Sequence, residues 1–250
     1  MLSEIGFEGL EVAPSRIWPN TWEKLSLRQV DAYRHEIEAC GLSVVGLHSL
    51  FFDQPLLGMF KNSNVRAKSL DFLVHLSSVC RDLGGHTLIY GSGRKRGILD
   101  QKDALNIAIS FVEEYVRKTE DHGTCLCFEP LGKKDTDFIN SVYDAKAIVT
   151  QINHPALKIQ IDAKALVENN EVSSDVFEDC ANQLVHYHAN EPGLTELGQS
   201  GLVDHRFLGA QLRRIRYDRF VSVEQRMLEA DDPMKNIYKS MSVLQRFYKY

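Results

Sequence analysis

Short apolar runs alternate with longer stretches in which apolar residues recur every three or four positions, and the alternation continues along almost the whole chain. A solid apolar run of four to eight residues marks a strand buried on both faces, whereas a period near 3.6 marks a helix with one buried stripe. On this pattern residues 9–13, 43–47, 87–90, 125–128, 158–161, 184–187 and 220–223 read as strands, rich in Val, Ile, Leu and aromatic side chains. Between them, Val30, Tyr33, Ile37 and Cys40 follow Ser26 at helical spacing and stop at Gly41, and Leu70, Leu73, Cys80 and Leu83 precede the Gly84-Gly85 pair. Asp100 is placed to cap a helix running through Leu105, Ala108, Val112, Tyr115 and Val116 to near Gly123, and Ser141 to cap another that stops before Pro155.

Strands that alternate with helices in this way build a parallel sheet with the helices outside it, and the natural closed form is an α/β barrel of the TIM (β/α)8 type. The strand count is seven, one short of eight, and the opening MLSEIGFEGLEV has the character of the end of a first helix. The barrel is therefore expected to lack its first strand or to be truncated there, leaving an open edge between two parallel strands, which is costly and prone to pairing. A chain of 250 residues suits one such domain over positions 1–250.

Composition narrows the chemistry only by exclusion. Hydrophobic residues at 44%, charged at 25% and aromatic at 9% are ordinary for a soluble globular protein. A formal charge of −5 with a pI near 6.0 opposes a broad nucleic-acid footprint. The five cysteines are odd in number and sit in apolar surroundings, which fits reduced thiols rather than a disulfide framework, and Cys125 and Cys127, on one strand face, read as packing residues. Neither a cleavable leader nor an apolar stretch of the ~20 residues that span a bilayer is visible, so a cytoplasmic protein without a membrane partner is expected.

Four strands finish on a side chain able to bind a metal: CLCFEPLG carries Glu129, KIQIDAKA carries Asp162, VHYHANEP carries His188 and FVSVEQRM carries Glu224. Because all strand ends of a parallel barrel open on one face, residues far apart in sequence converge there. The intervals of 33, 26 and 36 residues each hold one helix and two loops, placing the four on consecutive strands. Each acidic residue alone could equally be a helix cap or a surface group, but three carboxylates buried in succession need a shared counter-charge. Three carboxylates and one imidazole suit a single divalent ion: Mn²⁺, Mg²⁺, Co²⁺ or Zn²⁺.

GFEGLEV near the start, LHS after the next strand, FEPLG, QIDAKA, HYHANEPG and RYDRFVSVE follow one another in an order and spacing that resembles the xylose-isomerase-like barrels, in particular the sugar phosphate isomerase/epimerase group with its ketose 3-epimerases and hydroxypyruvate isomerases. The resemblance covers nearly the whole chain. It implies that Glu129, Asp162, His188 and Glu224 are the metal ligands and that Glu129 and Glu224 also move the proton, through a cis-enediolate of a sugar or sugar phosphate. The chain departs from that pattern at Ala165, where the family often has a histidine, and at Leu194, where the ketose 3-epimerases have an arginine. The same quartet would serve an isomerase, an epimerase or a dehydratase.

Around the quartet, His48 is expected to contact substrate, Glu191 to meet a substrate hydroxyl, and Glu11 to orient a ligand from behind. Trp18 and Trp22 are expected to wall the sugar, and Arg94, Lys95 and Arg96 of GSGRKRG to hold an anionic substrate group. Homo-oligomerisation is left open. Two other readings share the scaffold: a sugar- or metal-binding barrel without turnover, and an apurinic endonuclease of the endonuclease IV type, which needs more ligands than this chain shows and is opposed by its acidic charge.

Overall fold

The computed structural model describes every residue except 24, 230 and 250. Its sheet has seven strands in sequence order, β1 (Gly9–Val12), β2 (Ser43–Leu47), β3 (Thr87–Tyr90), β4 (Cys125–Phe128), β5 (Leu157–Asp162), β6 (Leu184–Ala189) and β7 (Val221–Val223). All neighbouring pairs are parallel. The expected strands recur, three with identical ends and the rest with ends displaced by one or two residues. Nine α-helices are seen among the described residues: α1 (Pro14–Ile17), α2 (Leu27–Ala39), α3 (Ser63–Asp82), α4 (Gln101–Thr119), α5 (Val142–Ile152), α6 (Ala163–Glu168), α7 (Ser174–Cys180), α8 (His205–Arg214) and α9 (Pro233–Phe247). None is long and apolar enough to cross a membrane.

Local chemistry sets the helix starts. Ser26 with Gln29, and Ser141 with Asp144, form reciprocal capping boxes on α2 and α5, and Asp100 accepts the Asp103 N–H at the start of α4. Each helix then buries one stripe against the outer face of the sheet. From α4 that stripe is Ala104, Ala108, Phe111, Val112 and Tyr115, joined in one apolar core by Leu126 and Phe128 of β4 and Leu73 and Leu76 of α3.

Strand parity then decides what lies inside the barrel. Pairing aligns Gln160 with His186 and Asp162 with His188, so these four side chains share the inner face and rise in two layers towards the strand ends. A second, small apolar cluster of Ile89, Cys125 and Cys127 lies apart from the main core. All five cysteines are free.

The barrel is nearly closed. Among the described residues, β1 and β7 form no ladder with each other, and a cavity of about 430 Å³ lies along the seam, its lining including Leu10, Phe220 and Met241 together with Glu11, His48 and Glu224. Seven strands with one open seam match the expected count.

Candidate metal centre at the strand ends

Glu129, Asp162, His188 and Glu224 lie at, or within one residue of, the C-terminal ends of β4, β5, β6 and β7. One ligand-type atom from each lies within 4.8 Å of the others. His188 Nδ1 is central: Glu129 Oε1 is 3.2 Å away, Glu224 Oε2 3.6 Å and Asp162 Oδ2 3.8 Å.

The position of each side chain has a local cause. Asp162 ends β5 and begins α6: its Oδ1 caps that helix by accepting the Ala165 N–H at 2.7 Å, which leaves Oδ2 turned into the barrel. The cap reading thus holds for one oxygen, while the other faces the quartet. Glu129 lays its carboxylate over Gly91, and a Cβ at residue 91 would run into Oε2. Glu224 follows the short edge strand β7, and its N–H donates to the Ala189 carbonyl at 3.1 Å.

Behind the quartet, Glu11 Oε2 accepts from His188 Nε2 at 3.0 Å and His186 Nε2 at 3.1 Å. A proton held on Nε2 leaves Nδ1 of the neutral ring as a bare lone pair. Nδ1 is buried and has no aligned hydrogen bond. A buried lone pair ringed by three carboxylates is a poor arrangement by itself and a good one around a cation. Atoms sharing one ion at roughly 2.1–2.2 Å stand about 3–4.4 Å apart, so these residues fit a divalent ion with small adjustments.

The electrostatics agree with a site that concentrates negative charge. Burial, helped by Asp162 and Glu224, pushes the Glu129 carboxyl up to about 7. Burial works against a charged His188, yet Glu11 and the carboxylates around it hold the imidazole well above its ordinary value. Burial would also raise Glu11, but His186 and His188 pull it well below the carboxylate range. Without an ion the cluster therefore keeps a proton that a metal would displace.

His48 joins the site, its ring 6.5 Å from the His188 ring and edge-on to it, with burial lowering its basicity. Glu11 serves from behind as expected. Arg94 is a correction. Its side chain is 0% exposed, and its guanidinium, beside the stacked rings of Tyr90 and Phe128, donates to the carbonyls of Gly91, Phe138 and Glu129. It braces the loops under the quartet, each of its three nitrogens donating to a backbone carbonyl. Arg96 is pinned to Asp137 and the Leu99 carbonyl.

Glu191 is a second correction: its oxygens accept from the Gly198 N–H, His205 Nε2 and Ser200 Oγ in a fully buried brace of the loop before α8. Of the tryptophans, Trp18 packs edge-on to Tyr33 of α2 and Trp22 against Phe72 of α3. Two unforeseen residues stand beside the quartet. Asn190 hydrogen-bonds two of its carboxylates, and Lys164, paired with Asp135 at 3.5 Å, lies in the field of Asp162 and Glu224. Asn190 continues the alternation of His186 and His188, a period-two signal readable in HYHANEPG.

Four metal-capable side chains on consecutive strand ends of a parallel barrel define the class: an α/β barrel with its polar centre at the C-terminal face. The chain belongs to the xylose isomerase-like TIM barrel family, whose profile matches residues 1–247. Solved structures with the same fold include 3-keto-D-glucoside 4-epimerase from E. coli, at 18% identity and a TM-score of 0.81, covering 98% of this chain and 91% of that one. D-psicose 3-epimerase from Clostridium cellulolyticum H10, crystallised with D-tagatose, gives 18% identity and a TM-score of 0.82 over 100% of this chain and 92% of the other. An L-ribulose 3-epimerase gives 16% and 0.80 over 98% and 86%.

Proposed function

We propose that this protein is a divalent-metal-dependent isomerase or epimerase of sugars or sugar phosphates. The observation that carries the reading is the convergence of Glu129, Asp162, His188 and Glu224, with an unpartnered His188 Nδ1 at their centre. The sugar epimerases that share the fold support it. These four residues would hold the ion, which supplies a Lewis acid and a template for the carbonyl and neighbouring hydroxyl of an open-chain sugar.

The proton work falls to the two outer ligands. Glu129 and Glu224 come from the first and last of four consecutive strands, so they flank whatever carbon lies over Asp162 and His188. One takes the hydrogen from the carbon beside the carbonyl, and the enediolate so formed receives a proton back. Return to the opposite face epimerises that carbon; return to the neighbouring carbon isomerises the sugar. Glu129 and Glu224 are both carboxylates, side chains able to take a proton from carbon and give it back. Glu11 keeps the imidazole of His188 turned so that Nδ1 faces the centre, and His48 is placed to hydrogen-bond a substrate oxygen.

The test is a screen of ketoses, ketose phosphates and hydroxypyruvate for uptake of solvent deuterium at carbon in the presence of Mn²⁺. Glu129→Gln and Glu224→Gln are each expected to lower that exchange by about a thousandfold or more while retaining the fold by circular dichroism. Exchange that survives both substitutions, or a wild-type protein that takes up no divalent ion, sinks the reading.

A further inference from the structure

Glu224 is the least supported member of the quartet. Its side chain is 30% exposed, against 11% for Glu129 and 2% for Asp162 and His188. It follows a three-residue strand that pairs on one side only. Among the described residues its carboxylate receives one hydrogen bond, from Asn190 Nδ2 to Oε2 at 2.8 Å.

The same Nδ2 donates to Asp162 Oδ2 at 2.6 Å, and Asn190 Oδ1 accepts the Lys164 N–H at 2.8 Å. The Lys164 contact fixes which way the amide points, since a backbone N–H needs the oxygen. Both amide hydrogens are therefore committed, one to each carboxylate. Asn190 is 0% exposed and rises from the end of β6, two residues past His188, so it has no freedom to serve water instead.

The two oxygens it holds are those facing His188 Nδ1. Each keeps another lone pair for an ion. The amide thus offsets the repulsion between two carboxylates and fixes their separation, without itself carrying charge. Asp162 would stay in place without it, because its other oxygen caps α6. Glu224 has no such second anchor. From this asymmetry we infer that Asn190 is a positioning residue of the cation site, acting chiefly by holding Glu224 in reach of the ion.

The inference rests on the metal site proposed above, and Mn²⁺ binding measured on the full chain by calorimetry or electron paramagnetic resonance separates the two. Asn190→Ala is expected to weaken Mn²⁺ binding by about tenfold to a hundredfold, the usual effect of losing an outer contact to a ligand. Asn190→Ser, which keeps one donor and the smaller disruption, should fall between, and it carries the test if the alanine variant does not fold.

The discriminating readout is a double-mutant cycle. In a Glu224→Ala background the Asn190 substitution should change affinity by less than about threefold, since the residue it acts through is gone. Equal losses in the two backgrounds would mark a general structural role and overturn the inference. So would an Asn190 variant that folds and binds Mn²⁺ as tightly as wild type, and in that case the metal site itself would stand. A wild-type protein that binds no Mn²⁺ overturns both.

Discussion

Glu129 and Glu224 bound the same quartet but sit in differently built parts of the barrel. β4, which delivers Glu129, is paired on both sides, its four residues are buried, and the carbonyl of Glu129 itself is held by the fully buried Arg94. β7, which delivers Glu224, is one residue shorter, half-buried, paired only to β6, and borders the seam cavity. The position of a quartet side chain is thus over-determined where the sheet is continuous and rests on few contacts where it is open. The closed side can force a carboxyl into a costly environment, whereas the open side leaves its carboxylate room to move.

Arg94 gives the largest expected effect on the closed side. Arg94→Met keeps an apolar stem beside Tyr90 and Phe128 but removes the guanidinium donors to the carbonyls of Gly91, Phe138 and Glu129, of which Phe138 retains Thr136 Oγ1. At about 1–3 kcal/mol for each buried group left unsatisfied, and allowing for relaxation, the loss should be about 3–5 kcal/mol, or a drop in Tm of about 10 °C. Lys95→Met, in the same loop but exposed, should stay within about 0.5 kcal/mol. Thermal denaturation of the two variants side by side checks this, and equal Tm values would remove Arg94 as the brace.

The open side should be visible without mutation. Amide hydrogen exchange of the native protein should show protection at Leu126 and Phe128 of β4 about a hundredfold or more above that at Ser222 and Val223 of β7, because an edge strand of three residues opens locally at lower cost. Similar protection in both strands would show that the seam is no weak point and that the closed and open sides differ in static geometry alone.

Much of this was legible in the chain. Strand positions were, because apolar runs covered on both faces stand out between capped helices, and so was the quartet, because it recurs at the same place in successive strand–helix units. Loop charges were not. Arg94 in GSGRKRG reads like an anion-binding residue, and nothing local reveals that its partner carbonyl at Phe138 comes from 44 residues away. Glu191 misled for the same reason, since its acceptors are filled from the loop beyond it and from α8. A charge that satisfies buried backbone and a charge that awaits a ligand look alike until the loops are folded. Asn190 does not stand out in the sequence because a neutral amide beside a histidine motif announces no chemistry, although its parity with His188 places it on the inner face.

The smallest expected effect, and the most specific to the closed side, is a pH dependence. The Glu129 carboxyl is raised to about 7 in the fold, from an ordinary value of 4.5. Between those two values the unfolded chain has released this proton while the native state still holds it, so unfolding is favoured progressively as the pH rises. The stabilisation is complete below about 4.5, is lost on the way to 7 and changes no further above it. His188, held well above its ordinary value, acts in the same direction. Metal-free protein should therefore lose on the order of 5 °C in Tm from about pH 5 to pH 7; the Glu129 part of the slope ends there, and the His188 part continues at higher pH. Saturating Mn²⁺ should add more stability at pH 7.5 than at pH 5.5, because at the lower pH the ion must first displace the proton. Glu129→Gln should flatten most of the metal-free slope, the amide having no proton to lose. A slope unchanged in Glu129→Gln would mean that the strain of burying negative charge is carried elsewhere in the barrel, and the contrast between its closed and open sides would lose its electrostatic half.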